Sequence, residues 1–325
     1  MKRRSILALT SGTLAAPALL SARAQEVWPS RPIRIVVPFP PGSASDTLAR
    51  GLAARMSEAL GQTTVVENRP GAGGTIGTDV VAKAAPDGHT FLMATAAHTI
   101  TAATYAKLPF DAKGDFVPVT RLIATPLVLV VHPSVEARTV AELVALARRS
   151  PGAISFASSG NGTSHQMASE LLKSLAKIDI VHVPYRGSAP AQTDLVAGRC
   201  QMMFDNIVAV IGQVRDGRLR AVAVSTPERS AILPDVPTVA ESGYPGFEVS
   251  AWFGLMAPKG TPAAIIEKGA QVAGAAVQHP SLAERLVAEG AIVNPDGPAA
   301  FARFLDSDFS KWEVVAREGQ IRLSD

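Results

Sequence analysis

The 325-residue chain has 26 Gly, 24 Pro, 6 His, a single Cys and only 18% charged residues, below the roughly 25% of an ordinary soluble domain. One cysteine excludes a disulfide framework and a cysteine-cluster metal site, and the length suits two domains of about 100 to 200 residues, each with its own core. The formal charge of +3 comes from the first 24 residues, where Lys2, Arg3, Arg4 and Arg23 stand without an acid; removing those four from the 31 Lys and Arg leaves 27 against 28 acids, which excludes the electrostatic footprint of a nucleic-acid binder.

The same 24 residues have the parts of an export signal. Met1 to Arg4 is a basic n-region, Ser5 to Ser21 is uncharged and mostly apolar, and Ala22-Arg23-Ala24 is a small-residue cleavage site. The apolar stretch is too short to read as a spanning helix. Cleavage after Ala24 and a soluble protein in the periplasm are expected. Arg3-Arg4 is compatible with both the twin-arginine and the general secretory route.

The remainder predicts strands alternating with helices. Strand 33–37 leads through Pro38-Phe39-Pro40-Pro41-Gly42 into a helix over about 45–60. Strand 64–67 is followed by a Gly-rich turn over 70–77 and a helix to about Ala85, and Pro86-Asp87-Gly88 turns into strand 90–94. After Thr125-Pro126 the pattern resumes with strand 127–131, helix 140–149, strand 154–157, helix 164–175, strand 179–182, helix 190–197 and strands 202–204 and 220–225. A strand-like run at 252–258 precedes helices over 262–278, 281–288 and 298–317. Such alternation predicts a mostly parallel, helix-covered sheet. With no Ser/Gly-rich linker, the two sets are expected as paired α/β lobes, residues 25–125 plus 248–325 and residues 126–247. The two chain crossings between them would form a hinge, and the cleft a ligand site.

Catalytic and cofactor signals are weak. Gly71-Ala72-Gly73-Gly74-Thr75-Ile76-Gly77 mimics a dinucleotide fingerprint, but it follows the second strand of its set and lacks an acid-ended strand about 20 residues on, so it reads as a tight turn and no cofactor is expected. The six His form no i, i+4 pair and have no carboxylate at metal-ligand spacing, so no metal is expected. Ser158, Ser159 and Ser164 with His165 come nearest to a nucleophile and base, but no G-x-S-x-G elbow holds them and an adjacent Ser-His pair points apart. Cys200 reads as a half-buried thiol. An exported hydrolase or cofactor-dependent oxidoreductase is the competing class, recognisable by turnover of a bound ligand.

Binding has better support. Phe39 to Asp46 is a strand-to-helix turn of small residues whose backbone N–H groups lie at a helix N-terminus, where free donors and the macrodipole attract anions. Ser158 to His165 repeats the arrangement in the second set. Neither loop contains Lys or Arg, so an anion between them would be held by N–H groups, hydroxyls and water. The same Ser45 or Asp46 and Thr163 or Ser164 also read as N-caps.

At these residues a family likeness emerges. Pro29-Ser30-Arg31-Pro32-Ile33, Val37-Pro38-Phe39-Pro40-Pro41-Gly42-Ser43-Ala44-Ser45-Asp46, Glu67-Asn68-Arg69-Pro70-Gly71-Ala72-Gly73-Gly74, Pro86-Asp87-Gly88-His89-Thr90, His182-Val183-Pro184-Tyr185-Arg186-Gly187 and Leu233-Pro234-Asp235-Val236-Pro237-Thr238 form an ordered series over nearly the whole mature chain. The series resembles the Bug family, the periplasmic solute-binding receptors of tripartite tricarboxylate transporters. Ser43 stands where that family commonly has a second Gly. The resemblance implies a periplasmic-binding-protein fold of the Venus-flytrap, type II-like kind, with a small carboxylate gripped by the two strand-to-helix loops, partly through ordered water. It also implies a monomeric receptor that delivers its ligand to membrane permease subunits. Carried over by motif, Phe39, Gly42, Ser43, Ser45 and Asp46 would form one jaw, and Ser158, Ser159, Thr163 and His165 the other. Thr95, His98, Tyr185 and Asp205 would line the cleft or serve as hinge or capping residues.

Overall fold

The computed structural model describes residues 28–318 and 321–322. The expected export signal and its cleavage site at Ala24 lie outside the described residues.

Four apolar residues and Arg34, which pairs with Glu67, form β1 (Ile33–Val37), and its near-continuous burial is that of a strand covered on both faces. Helix α1 (Ala44–Leu60) follows, capped at its start by Ser43 and closed by Gly61 in the left-handed region at φ 62°. Next come β2 (Thr64–Asn68), a 3-10 turn at Ala72–Gly74, α2 (Thr75–Ala82), β3 (Thr90–Thr95) and α3 (Ala97–Thr104). The Gly-rich segment is thus a tight turn: Gly77 enters α2 so close to the β1 loop that a Cβ would lie 2.7 Å from the Arg69 carbonyl and 2.8 Å from Pro38 Cα.

The expected strand at 127–131 is part of a much longer one, β4 (Phe116–Val131). Two prolines hide it from the sequence. Pro118 sits where the register slips against β9, a bulge that tolerates the missing N–H. Beyond β4 lie α4 (Val140–Arg149), β5 (Ser155–Ser158), α5 (Ser164–Ala176), β6 (Val181–Pro184), α6 (Ser188–Val196), β7 (Met202–Asn206), α7 (Ile207–Arg215) and β8 (Arg220–Val224). The chain ends with β9 (Ser250–Pro258), α8 (Ala263–Val277), α9 (Pro280–Ala288), β10 (Ile292–Val293) and α10 (Pro298–Glu318).

The strands lie in the order β2-β1-β3-β9-β4-β7-β5-β6, with β8 and β10 added alongside β4. The outer trios β2-β1-β3 and β7-β5-β6 are parallel, whereas β9 and β4 run antiparallel to their neighbours. A mostly parallel sheet was the sequence expectation; the mixed sheet arises because β4 and β9 cross between the two trios instead of belonging to one. Ser225 ties these crossings together. Its N–H donates to Leu127 O at 2.9 Å, its Oγ accepts from Leu127 N at 3.0 Å and donates to Val249 O, and its own carbonyl accepts from Val249 N at 2.9 Å.

Helices α8 and α10 return to the first trio, α8 against α1 and α10 against α3. Asp308 on α10 fixes that return, because its buried carboxylate accepts from Thr99 Oγ1 at 2.6 Å and from Trp252 Nε1 at 2.9 Å. One continuous apolar core, including Phe91, Phe156, Phe204, Trp252 and Trp312, runs under both trios.

Candidate ligand-binding site

A cavity of about 380 Å³ opens where the parallel strands end. Residues following β1, β3, β5 and β6 line it, Asn206 at the end of β7 joins them, and Ala251 and Phe253 of antiparallel β9 form part of its floor. Open α/β sheets place ligands at these carboxyl ends, where helix N-termini converge. Of the expected site residues, Phe39, Gly42, Ser43, Ser45, Thr95, Ser159, Thr163 and His165 all line this cavity.

The two strand-to-helix loops are built alike. At α1, Ser43 Oγ accepts from Asp46 N at 3.3 Å while Asp46 Oδ2 accepts from Gly42 N at 2.9 Å. At α5, Thr163 Oγ1 accepts from Gln166 N at 3.4 Å while Gln166 Oε1 accepts from Gly162 N at 2.8 Å. Each is a reciprocal cap in which the third helical residue bonds back before the helix start. The cap therefore occupies the third amide and leaves the first two, Ala44 and Ser45 in one helix and Ser164 and His165 in the other, on cavity-lining residues. Capping and anion binding are compatible at both ends. Ser43, at φ −69°, adopts an ordinary extended conformation, so this position does not require glycine.

His165, buried on α5, extends the second loop inward. Its Nδ1 contacts Ser159 Oγ at 2.5 Å and its Nε2 lies 3.1 Å from Asn206 Nδ2 and 3.4 Å from Asp205 Oδ1. Burial holds its pKa below the ordinary histidine value, although Asp205 pulls the other way. Two tautomers of the neutral ring fit these partners: a proton on Nδ1 donates to Ser159 while Nε2 accepts from the Asn206 amide, and a proton on Nε2 faces Asp205 while Nδ1 accepts from Ser159. With the proton on Nδ1, the Ser159 hydroxyl proton is free to donate toward the cavity, as an anion requires. Ser159, His165 and Asp205 have the residue types of a hydrolase triad, and Ser159 with His165 was among the nucleophile–base candidates of the sequence. With the proton on Nδ1 the imidazole donates to the hydroxyl and cannot withdraw its proton.

Five expected residues stand outside the cavity lining. Asp46 is consumed by its cap and by Arg50 and Asn68 Nδ2, whose bonds outweigh the burial that opposes its charge and hold its pKa below the ordinary value. His98 packs among Phe110, Phe116 and Phe309 with Nε2 2.8 Å from Ala112 O, and burial depresses its pKa to about 4. Ser158 is buried, its Oγ 2.6 Å from His182 Nε2. Tyr185 turns its hydroxyl to Asp194 at 2.8 Å, with Cys200, a buried thiol, at 3.4 Å. Asp205, fully buried, accepts from Ser188 Oγ at 2.5 Å, Gln192 Nε2 at 2.8 Å and Asn206 N at 2.8 Å. It supports the wall without facing the cavity.

The sequence reading missed part of that wall. Arg186, Ser188, Gln192 and Asn206 line the cavity, and Arg186 brings a cation to a site expected to have none in its jaws. The signal lies in Tyr185-Arg186-Gly187, a motif directly before α6, whose place beside the β5–α5 loop follows from the strand order and not from spacing. Among the described residues no group of three His, Cys, Asp or Glu could hold a metal ion.

Residues 48–320 match the profile of the tripartite tricarboxylate transporter family receptor. The chain belongs to that family. This receptor is 43% identical to a UPF0065 protein in the tcbD-tcbE intergenic region of Pseudomonas sp. strain P51, over 99% of this chain and 96% of that protein. It is 36% identical to protein BugT of Bordetella pertussis, over 99% of this chain and all of BugT. Among solved structures, Rpa4515 of R. palustris with adipate superposes with a TM-score of 0.85 at 35% identity, covering 91% of this chain and 99% of that one. MatC of Rhodopseudomonas palustris with bound malate superposes with a TM-score of 0.82 at 35% identity, covering 89% and 99%. The receptor thus has the periplasmic-binding-protein fold and is a periplasmic solute-binding protein of the Bug type, not an enzyme.

Proposed function

We propose that the receptor captures a small carboxylate between the loops 39–46 and 158–165 and closes on it. The observation that carries this reading is the matched pair of reciprocal caps, which leave two free amides from each of α1 and α5 on one cavity. Hydrogen bonds to a charged group contribute roughly 1.5 to 3 kcal/mol each, enough for such a grip to compete with water. Adipate and malate, bound in two relatives, make dicarboxylates the first ligands to try.

In this reading residues 25–125 with 248–325 form one lobe and residues 126–247 the other, with the hinge at β4 and the Ser225-Val249 crossing. The monomeric receptor hands its ligand to the permease subunits of a tripartite transporter. Export uses the segment 1–24, so sequencing of the periplasmic protein should begin at Gln25, and retention of Lys2 to Arg4 would exclude that cleavage.

A thermal-shift screen of carboxylic acids followed by calorimetry tests the site. A ligand at 100 times its Kd raises stability by about 2.7 kcal/mol, a readily visible shift. Gly42 has φ 80° and no atom within 4 Å of a Cβ, so Gly42→Leu projects a side chain into open space at the first jaw. It should weaken binding at least tenfold, whereas Lys268→Ala, an exposed change on α8, should bind as wild type. Silence across the screen would defeat the carboxylate reading, and full affinity in Gly42→Leu would place the site elsewhere.

A further inference from the structure

Arg186 is the one Lys, Arg, Asp or Glu lining the cavity among the described residues. It is exposed, and no ion pair or hydrogen bond engages its guanidinium within the described chain. A cation left without a counter-charge on a binding wall is either solvated idly or reserved for a ligand, and its surroundings decide between these.

The polar neighbours of Arg186 are already committed. Ser188 Oγ donates to the buried Asp205 at 2.5 Å, and Gln192 Nε2 donates to Asp205 at 2.8 Å and to Ser188 Oγ at 3.0 Å. The Gly187 amide donates to Ser159 O at 3.1 Å, which fixes the Arg186 backbone against the second jaw. The guanidinium is therefore the group on this wall with donors to spare, and it stands on a backbone held at both sides.

Position supplies the rest. The α1 and α5 loops follow β1 and β5, whereas Arg186 follows β6, the edge strand one place beyond β5. Apolar groups share the lining: Phe39, Pro40, Ala97, Pro190, Ala251 and Phe253. One cavity thus carries helix-start amides and hydroxyls, apolar surface and a single cation on a different strand end, with the volume of about 380 Å³ leaving room beyond one carboxylate. The complement is a short carbon chain with an acid at each end.

We propose that Arg186 binds the second acidic group of the ligand and makes the receptor select diacids over monoacids of equal length. The assignment rests on the carboxylate reading above. An arginine-carboxylate contact is charge-assisted and strong, so its loss should cost about 10- to 100-fold in affinity.

The test is calorimetry with adipate and its monoamide, which keep one carboxylate and the chain length while removing the second charge; malate and a monoamide of malate replace them if the screen favours the shorter acid. Wild type should prefer the diacid at least tenfold. Arg186→Gln should abolish that preference by weakening the diacid alone, with the monoamide unchanged within threefold, and Arg186→Lys should retain part of it. Melting temperatures of both variants should match wild type, since no internal contact is removed. Equal losses for diacid and monoamide would reveal a structural role, and no loss for either would leave Arg186 idle; each overturns the assignment. Tight binding of monoacids by wild type would overturn it while sparing the carboxylate site, whereas a receptor that binds no carboxylate loses both.

Discussion

At residue 73 a hydrogen atom in place of a side chain sets how closely the β2–α2 turn approaches the β5–α5 loop. Gly73, at φ 64°, lies so near the second loop that a Cβ would sit 2.7 Å from the Asn161 carbonyl and 3.1 Å from Tyr105 Oη. The Gly-rich turn that mimics a nucleotide fingerprint is therefore a contact surface between the β2–α2 segment and the β5–α5 loop. Backbone cannot yield as a side-chain end does, so Gly73→Ala should prop the turn and the loop apart. The left-handed φ alone costs about 1–2 kcal/mol with a Cβ. Gly61→Ala isolates that cost, because Gly61 shares φ 62° but has nothing within 4 Å of a Cβ. With saturating carboxylate, Gly73→Ala is expected to bind at least tenfold more weakly and to show a larger radius of gyration by solution scattering, while Gly61→Ala binds and compacts normally. Identical behaviour of the two variants would refute the contact. Sequence showed the residues of both jaws but could not separate them by role: Asp46 and Gln166 occupy the same place in the two caps, and only Asp46 was singled out. Ser159 and His165 meet across a turn whose geometry is not in the spacing, and Arg186 needed the strand order to place it beside them.

At the scale of elements, the legible ones were those with strong local signals. β1 and α4 fall where patterning puts them, β1 because four of its five residues are β-branched and apolar, bounded by Pro32 and Pro38, and α4 because Thr139 caps Glu142 N at 3.1 Å. α3 was not foreseen, and its composition explains why. It starts from Ala96, which is already helical at φ −52° and supplies no side-chain cap, and it carries three threonines. Their hydroxyls turn inward, Thr101 Oγ1 donating to Ala97 O at 2.7 Å and Thr104 Oγ1 to Ile100 O at 2.8 Å, a habit of residues with low intrinsic helix preference. α7 likewise begins at Asn206 without a side-chain cap, since that amide is engaged with His165. Both helices follow directly on strands whose ends line the cavity, so tertiary packing at the site, not local propensity, makes them. The length of β4 is a third case: Pro118 and Pro126 look like strand ends in sequence, yet one lies at a bulge and the other still pairs with Ser250.

Across the whole molecule, the alternation of strands and helices revealed two α/β sets and two crossings, but not that the crossings are themselves strands of one mixed sheet. That shared sheet bears on acid stability, because each trio has a neutral histidine packed on it, His98 buried beside the first and His182 half-buried on the second. His98 beside the first trio has its pKa depressed to about 4 by burial, against a weaker opposing bond to Ala112 O. His182 on β6 in the second is also depressed to about 4, by burial and then by Lys173, and stacks on Phe156 at 4.8 Å. An unfolded histidine takes up its proton near pH 6.5, so as pH falls below that value the unfolded chain binds protons that the native one refuses. Stability contributed by these groups is complete above pH 6.5 and is lost progressively down to about pH 4. For His98 the loss between pH 7 and 5 is about 2 kcal/mol, since the unfolded group gains about 1.5 units of protonation free energy at 1.36 kcal/mol each. The depressed carboxylates, among them Asp46, Glu67 and Glu241, lose their contribution only at lower pH, below their ordinary range. Glu170, held above its ordinary value by burial, opposes the histidines as pH falls, and the three histidines with depressed pKa, His98, His165 and His182, set the sign of the change from 7 to 5. Melting in that window should fall by several degrees, at roughly 2–4 °C per kcal/mol for a chain of this size class. His98→Asn, which cannot titrate there and keeps a donor for Ala112, should be less stable at pH 7 through lost packing but should show a visibly flatter slope between pH 7 and 5. A melting temperature independent of pH in the wild type, or the same slope in His98→Asn, would show that this histidine does not carry the dependence.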